Sequence, residues 1–159
     1  MKNSSHLFAQ TVIVLGLLTN IALADVTLPN VFGNHMVLQQ NKEIIVWGWA
    51  DSGESVTVDL SGDSASVVAD KNGDWKVKLN PRKADHQPLT LTVSGKNRLS
   101  FEDVLMGEVW VCSGQSNMGW PVANSFDADL ESLSANHPEL RIISVPQVGT
   151  QELQKNFKG

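Results

Sequence analysis

Cysteine is nearly absent from this chain. Cys112 stands alone among 159 residues, so an intrachain disulfide is excluded even in an oxidising compartment. Blocks of like charge are missing too. A formal net charge of −5 spread without runs gives no surface for nucleic acid or for an anionic membrane. No apolar run reaches the roughly 20 residues of a transmembrane helix. His35 and His86 have no cysteine or second histidine at ligand spacing, so no metal site is expected. Hydrophobic content of 42% suffices for a packed core, and the length suits one domain or one domain plus part of another.

The first 24 residues read as a targeting segment. Lys2 precedes the apolar run Thr11-Val12-Ile13-Val14-Leu15-Gly16-Leu17-Leu18, and Ala22-Leu23-Ala24 supplies a small-x-small cleavage pattern. A signal peptide over 1–24, maturation near Ala24/Asp25 and export to a periplasmic or extracellular space are expected, with no membrane attachment after cleavage. A lipoprotein would need a cysteine directly after this segment, and none is there.

Residues 25–105 have no helix-period segment and alternate as strands do. Ile44-Ile45-Val46-Trp47-Gly48-Trp49-Ala50 is rich in branched and aromatic residues. Val56, Val58 and Leu60 alternate with Ser55, Thr57 and Asp59; Trp75, Val77 and Leu79 alternate with Lys76 and Lys78. Leu89, Leu91 and Val93 alternate with Thr90 and Thr92. Each pattern gives one buried and one wet face. Asn72-Gly73 suggests a type I′ hairpin, and Asp51-Ser52-Gly53, Ser61-Gly62-Asp63 and Ser94-Gly95-Lys96-Asn97 punctuate the rest. The expectation is an antiparallel β-sandwich over 25–105, filled by Trp47 or Trp49, Trp75 and the aliphatic rows. The same-parity pair Trp47 and Trp49 also suits an exposed stacking platform for sugars.

From residue 106 the pattern changes. Val109-Trp110-Val111-Cys112 has the content of a buried strand, with Cys112 a small buried hydrophobe in it. Ser113-Gly114 breaks it, and Gln115-Ser116-Asn117 makes a polar turn. Phe126, Leu130 and Leu133 lie at i, i+4 and i+7, one face of a helix with Ser125 as its N-cap. Asn136-His137-Pro138 ends it, with His137 a surface turn residue. Leu140-Arg141-Ile142-Ile143-Ser144-Val145-Pro146 reads as a further strand. Strand, helix, strand opens a parallel α/β sheet, and the expectation is that such a sheet is started here and not finished.

A serine just past a buried strand lies where open α/β sheets place ligand sites. It serves equally as a turn former or helix cap. The hydrolase elbow Gly-x-Ser-x-Gly is not matched, because Met118 occupies the last glycine position.

Gly107-Glu108-Val109-Trp110-Val111-Cys112-Ser113-Gly114-Gln115-Ser116-Asn117-Met118, followed by Trp120-Pro121, resembles the nucleophile block of the sialate O-acetylesterase family, carbohydrate esterases of the SGNH-hydrolase group. Leu28-Pro29-Asn30-Val31-Phe32 with Asn34-His35-Met36-Val37-Leu38-Gln39-Gln40 resembles the start of that family's N-terminal β-domain. The resemblance implies a β-sandwich followed by the incomplete start, over 106–159, of an SGNH-type, flavodoxin-like parallel α/β domain. It implies an O-acetylated carbohydrate as substrate and no cofactor or metal. Ser116 is then the nucleophile and its backbone N–H an oxyanion donor, with Gln115 and Asn117 as candidate substrate contacts.

The family takes its base from a histidine preceded three residues earlier by an aspartate. At that offset the four histidines here have Asn3, Phe32, Lys83 and Ser134. The 159 residues alone are therefore expected to be nearly inactive. Two readings from other classes stand beside this one: a non-catalytic β-sandwich carbohydrate-binding module, and a non-functional product of a truncated reading frame.

Overall fold

The computed structural model describes residues 25–157; the targeting segment expected over 1–24 lies outside them. The chain is mostly strand, with little helix. Seven strands occur in order: β1 (Val37–Gln39), β2 (Ile44–Trp49), β3 (Ser55–Leu60), β4 (Asp63–Val68), β5 (Asp74–Leu79), β6 (Asp85–Ser94) and β7 (Arg98–Gly107). Two short 3-10 turns, Ser116–Gly119 and Val122–Asn124, and a single α-helix, α1 (Ala128–Ser134), follow among the described residues.

The strands form two sheets, one ordered β1-β7-β6-β3-β4 and one made of β2 and β5. Period-2 alternation decides what each contributes to the core. Val56, Val58 and Leu60 of β3 are fully buried, as are Leu91 and Val93 of β6 and Val104 of β7. From the smaller sheet Ile44, Val46, Trp75, Val77 and Leu79 join the same apolar cluster. The lysines between them on β5 face water.

Several expectations needed correction. β1 runs parallel to β7, with Val37 opposite Leu105 and Gln39 opposite Gly107, so the region is not antiparallel throughout. A parallel pair needs only a connection long enough to cross over, and the five strands between β1 and β7 supply it. Asn72-Gly73 does not close a hairpin. The turn carries the chain from β4 in one sheet to β5 in the other. Only Gly73 there has a positive φ, and the Asp70 carboxylate accepts from the N–H groups of Asn72 and Asp74. The type I′ geometry sits instead at Ser61-Gly62, both with positive φ, between β3 and β4.

Trp75 is in the core, 4% exposed, but Trp47 and Trp49 are not its partners. They lie on the opposite face of β2, where Trp47 is 38% exposed and rests edge-on against Phe32, ring centroids 4.8 Å apart. The reason is parity. Val46 and Gly48 take the inward positions, and in the register of the pair Trp75 lies opposite Gly48.

The register of β6 and β7 slips between Leu89–Val104 and Leu91–Phe101, leaving one extra residue on β7. Asp103 occupies that bulge at φ 54°, a left-handed conformation that aspartate tolerates better than most residues. The neighbouring Glu102 N–H donates to the Asn34 side chain, and its carbonyl accepts from the His35 N–H. The backbone groups that the bulge frees are thereby satisfied.

Gly48 is required by a close approach. A Cβ there would stand 2.1 Å from the Thr27 carbonyl oxygen and 2.9 Å from the Trp75 ring. The Thr27–Trp49 bridge, with N–H to O distances of 2.8 and 2.9 Å, depends on that space. Gly48→Ala is therefore expected to destabilise the chain by about 1–3 kcal/mol, read as a lower urea midpoint with an unchanged slope. A midpoint equal to the parent's would show that Thr27 does not hold this position.

Candidate active site

The segment carrying Ser116 leaves β7 at Gly107, and three side chains fix its direction. Gln39 and Gln40, at the end of β1, donate from their amides to the two carboxylate oxygens of Glu108 at 3.0 and 2.8 Å. The side-chain amide oxygen of Gln39, Oε1, accepts from the Val109 N–H at 2.9 Å. The Gln40 N–H donates to the Gly107 carbonyl at 2.8 Å. The amide donors hold the Glu108 carboxyl below its usual range, Gln39 contributing most and Gln40 next, because both hydrogen bonds favour the charged form.

A second anchor lies at the bulge of β7. His35 Nδ1 is 2.6 Å from Asp103 Oδ2, and the Arg141 guanidinium binds the same carboxylate oxygen at 2.9 Å and the Asp103 carbonyl at 2.5 Å. His35 and then Arg141 pull the Asp103 carboxyl below its ordinary range. Arg141, largely covered, thus ties the chain beyond α1 back to the β region.

Between these anchors the structure departs from expectation. Val109-Trp110-Val111-Cys112 is not a buried strand. It is irregular chain without strand pairing, with Trp110 81% and Val111 92% exposed. Cys112 is exposed as well, not a buried hydrophobe. Residues 140–146 likewise form no strand. A strand exists through its neighbours' hydrogen bonds, and among the described residues none lies alongside either segment.

The helix is where the apolar period put it, though shorter. Its N-cap is Asp127, at φ 52° and without a side-chain cap bond, not Ser125. The hydroxyl of Ser125 donates to the Pro121 carbonyl instead. Phe126, Leu130 and Leu133 are all exposed. His137 is exposed in the turn after α1, its carbonyl accepting from the Leu140 N–H, as a surface turn residue should be.

Ser116 opens a 3-10 turn, Ser116–Gly119, with Gln115 extended before it. The turn is closed by Met118 N–H to the Gln115 carbonyl at 2.9 Å and Trp120 N–H to the Asn117 carbonyl at 3.3 Å. Gly114 leaves room for Met118, whose Cγ lies 2.5 Å from where a Cβ would be. Ser116 is exposed. Neither its hydroxyl nor its backbone N–H bonds to another described residue. Residues 107–118 are thus not a hairpin of the preceding sheet, and the alcohol is accessible. Gln115 and Asn117 are exposed on either side, their carbonyls engaged in closing the turn.

What sequence reasoning missed is that the two stretches resembling one family touch each other. The Gln39-Gln40 end of the first meets the Gly107-Glu108 start of the second. The signal was present as two adjacent glutamines and a lone glutamate, but pairing them required knowing that β1 lies parallel to β7.

The architecture is similar to that of a carbohydrate acetylesterase from Xanthomonas citri. That crystal structure superposes with a TM-score of 0.80 at 36% identity, over 85% of this chain and 31% of its own. In sequence the chain is a homologue of the sialate O-acetylesterases. It is 33% identical to that of Mus musculus over 75% of its length and 34% identical to that of Homo sapiens over 76%. It spans about a quarter of the length of these curated relatives. No family model matches it.

Because both anchoring carboxyls are depressed on folding, their contribution is complete above the ordinary carboxylate range, near pH 4, and is lost as pH falls through the lowered folded values. Hydrogen exchange of residues 107–112 and 140–143 is accordingly expected to rise below pH 4 ahead of the core strands. Glu108→Ala should raise exchange at 107–112 already at pH 7. Equal protection in parent and variant would show that the glutamine amides do not hold this exit.

Proposed function

We propose that this chain carries the nucleophile of an exported serine esterase that removes O-acetyl groups from carbohydrates, in the manner of a sialate O-acetylesterase. In this reading residues 1–24 are a signal peptide, 25–105 a β-sandwich, and 106–159 the beginning of an SGNH-type α/β domain. The observation that carries it is the exposed Ser116 on a turn anchored to the β region, in a chain homologous to sialate O-acetylesterases.

The chemistry follows from the alcohol's needs. Ser116 Oγ attacks the acetyl carbonyl while a base takes its proton, since a neutral hydroxyl is a poor nucleophile. The carbonyl oxygen gathers negative charge, and the unpaired N–H of Ser116 is positioned to donate to it. The sugar hydroxyl leaves with a proton, and water then releases acetate from the acyl-serine. Gln115 and Asn117, flanking the nucleophile, contact the sugar. None of these steps calls for a cofactor.

The same reading gives the exposed apolar side chains a purpose. Trp110, Val111, Leu133 and Ile142 belong to an α/β core whose further strands lie in the additional length that the relatives have. The base and the other oxyanion donors belong to that additional length too, because no histidine here has an aspartate three residues before it.

The 159-residue chain is therefore expected to hydrolyse neither p-nitrophenyl acetate nor O-acetylated sugars above the blank, since loss of triad partners removes orders of magnitude in rate. In a polypeptide joining it to a downstream Asp-x-x-His segment, Ser116→Ala should lower kcat by at least about 10³-fold. Activity in that polypeptide that survives Ser116→Ala would end the assignment.

A further inference from the structure

The outer face of the β2–β5 sheet is not absorbed by this chemistry. Ile45, Trp47 and Trp49 form a row along β2. In the register of the pair they lie beside Lys78, Lys76 and Asp74 of β5. At the end of the row a cleft of about 550 Å³ opens, its lining including Trp47, Trp49, Asp70, Asp74, Lys76 and Lys155. Its volume lies in the range of small-molecule sites.

Three features give the cleft a chemistry. Trp47 is held by its edge contact with Phe32 while remaining 38% exposed, so an apolar plate is presented in a fixed orientation. The Asp70 carboxylate is oriented by the N–H groups of Asn72 and Asp74, which sets a hydrogen-bond acceptor beside that plate. Lys155, which also lines the cleft, places its ammonium 3.4 Å from both carboxylate oxygens of Asp74, which adds a cationic donor.

An aromatic plate next to carboxylate acceptors and an ammonium donor complements a pyranose. That ring has one C–H-rich face and a rim of hydroxyls. It fits neither a lipid surface, which would want a broad apolar patch without carboxylates, nor nucleic acid, which the aspartates repel. The binding energy available comes from stacking and from charge-assisted hydrogen bonds.

We propose that this cleft is a carbohydrate subsite separate from the Ser116 turn, taking unmodified pyranose residues of the same substrate chain. The choice of a sugar chain rests in part on the esterase reading; the existence of the subsite does not.

The test is a titration of the purified chain with xylotetraose and, separately, with 3′-sialyllactose, followed by tryptophan fluorescence and by the indole N–H resonances. Saturable change with at least one sugar is expected, with the resonances of Trp47 and Trp49 moving. Trp47→Ala should weaken binding about tenfold or more, a loss of about 1.4 kcal/mol, and Trp47→Phe should restore most of it. Should Trp47→Ala fail to fold, Asp74→Asn serves in its place, with weaker binding expected and an unshifted urea midpoint as the control. Ser116→Ala should leave the titration unchanged, so loss of the esterase reading and loss of this subsite are told apart. Absence of saturable change with both sugars, or affinity indifferent to Trp47→Ala and Asp74→Asn alike, overturns the proposal.

Discussion

Gln39 and Gln40 donate from two side-chain amides to the two oxygens of one carboxylate, Glu108, and the course of the chain beyond residue 107 depends on that lock. A carboxylate offers acceptors only, and each glutamine amide offers donors. The three groups are therefore matched in number and sign with no proton to rearrange. The partners come from opposite ends of the β region, and the parallel pairing of β1 with β7 delivers them to one point. The Gln39 side-chain oxygen then accepts from the next backbone N–H, that of Val109. The direction of the serine segment is set by these polar bonds rather than by burial.

Polar anchoring explains why the serine turn can be well formed while its surroundings are exposed. Most short segments in a protein take their geometry from burial. Here the Ser116–Gly119 turn is closed by its own backbone bonds and by the Gly114–Met118 approach, and its base is held by the Glu108 lock. Arg141 fixes the far side through Asp103. Polar bonds at two points carry what packing carries in the β region.

The β region was legible because period-2 alternation is a strong signal. The inward rows Val56-Val58-Leu60 and Trp75-Val77-Leu79 fall where the pattern put them. The parity of β2 was harder, since Val46 and Trp47 are both plausible core residues. What decides it is a glycine. Trp75 needs an inward position on β2 with no side chain, and only Gly48 provides one, which sends Trp47 and Trp49 outward. The parallel strand and the two-glutamine lock were not legible, because local sequence carries no record of which strands become neighbours. The segments 109–112 and 140–146 were read correctly for apolar content, yet content specifies a strand only when a partner strand is present to complete its hydrogen bonds.

The outward turn of Trp47 and Trp49 joins the fold to function. A sheet of two strands has one face on the core and one on solvent, and the solvent face normally alternates to polar residues, as β5 does with Lys76 and Lys78. On β2 the corresponding positions are Ile45 and Trp47, both exposed, and the half-buried Trp49, and their accessible area forgoes the stabilisation that full burial of such large apolar groups brings. Phe32 covers part of Trp47 and holds it still, which lowers the entropy that a stacked ligand would otherwise have to remove. The acidic turn at Asp70 is oriented independently by its own backbone bonds. A rigid apolar plate and a preset acceptor, placed on a face that folding does not need, are the arrangement expected of a surface that meets a second molecule.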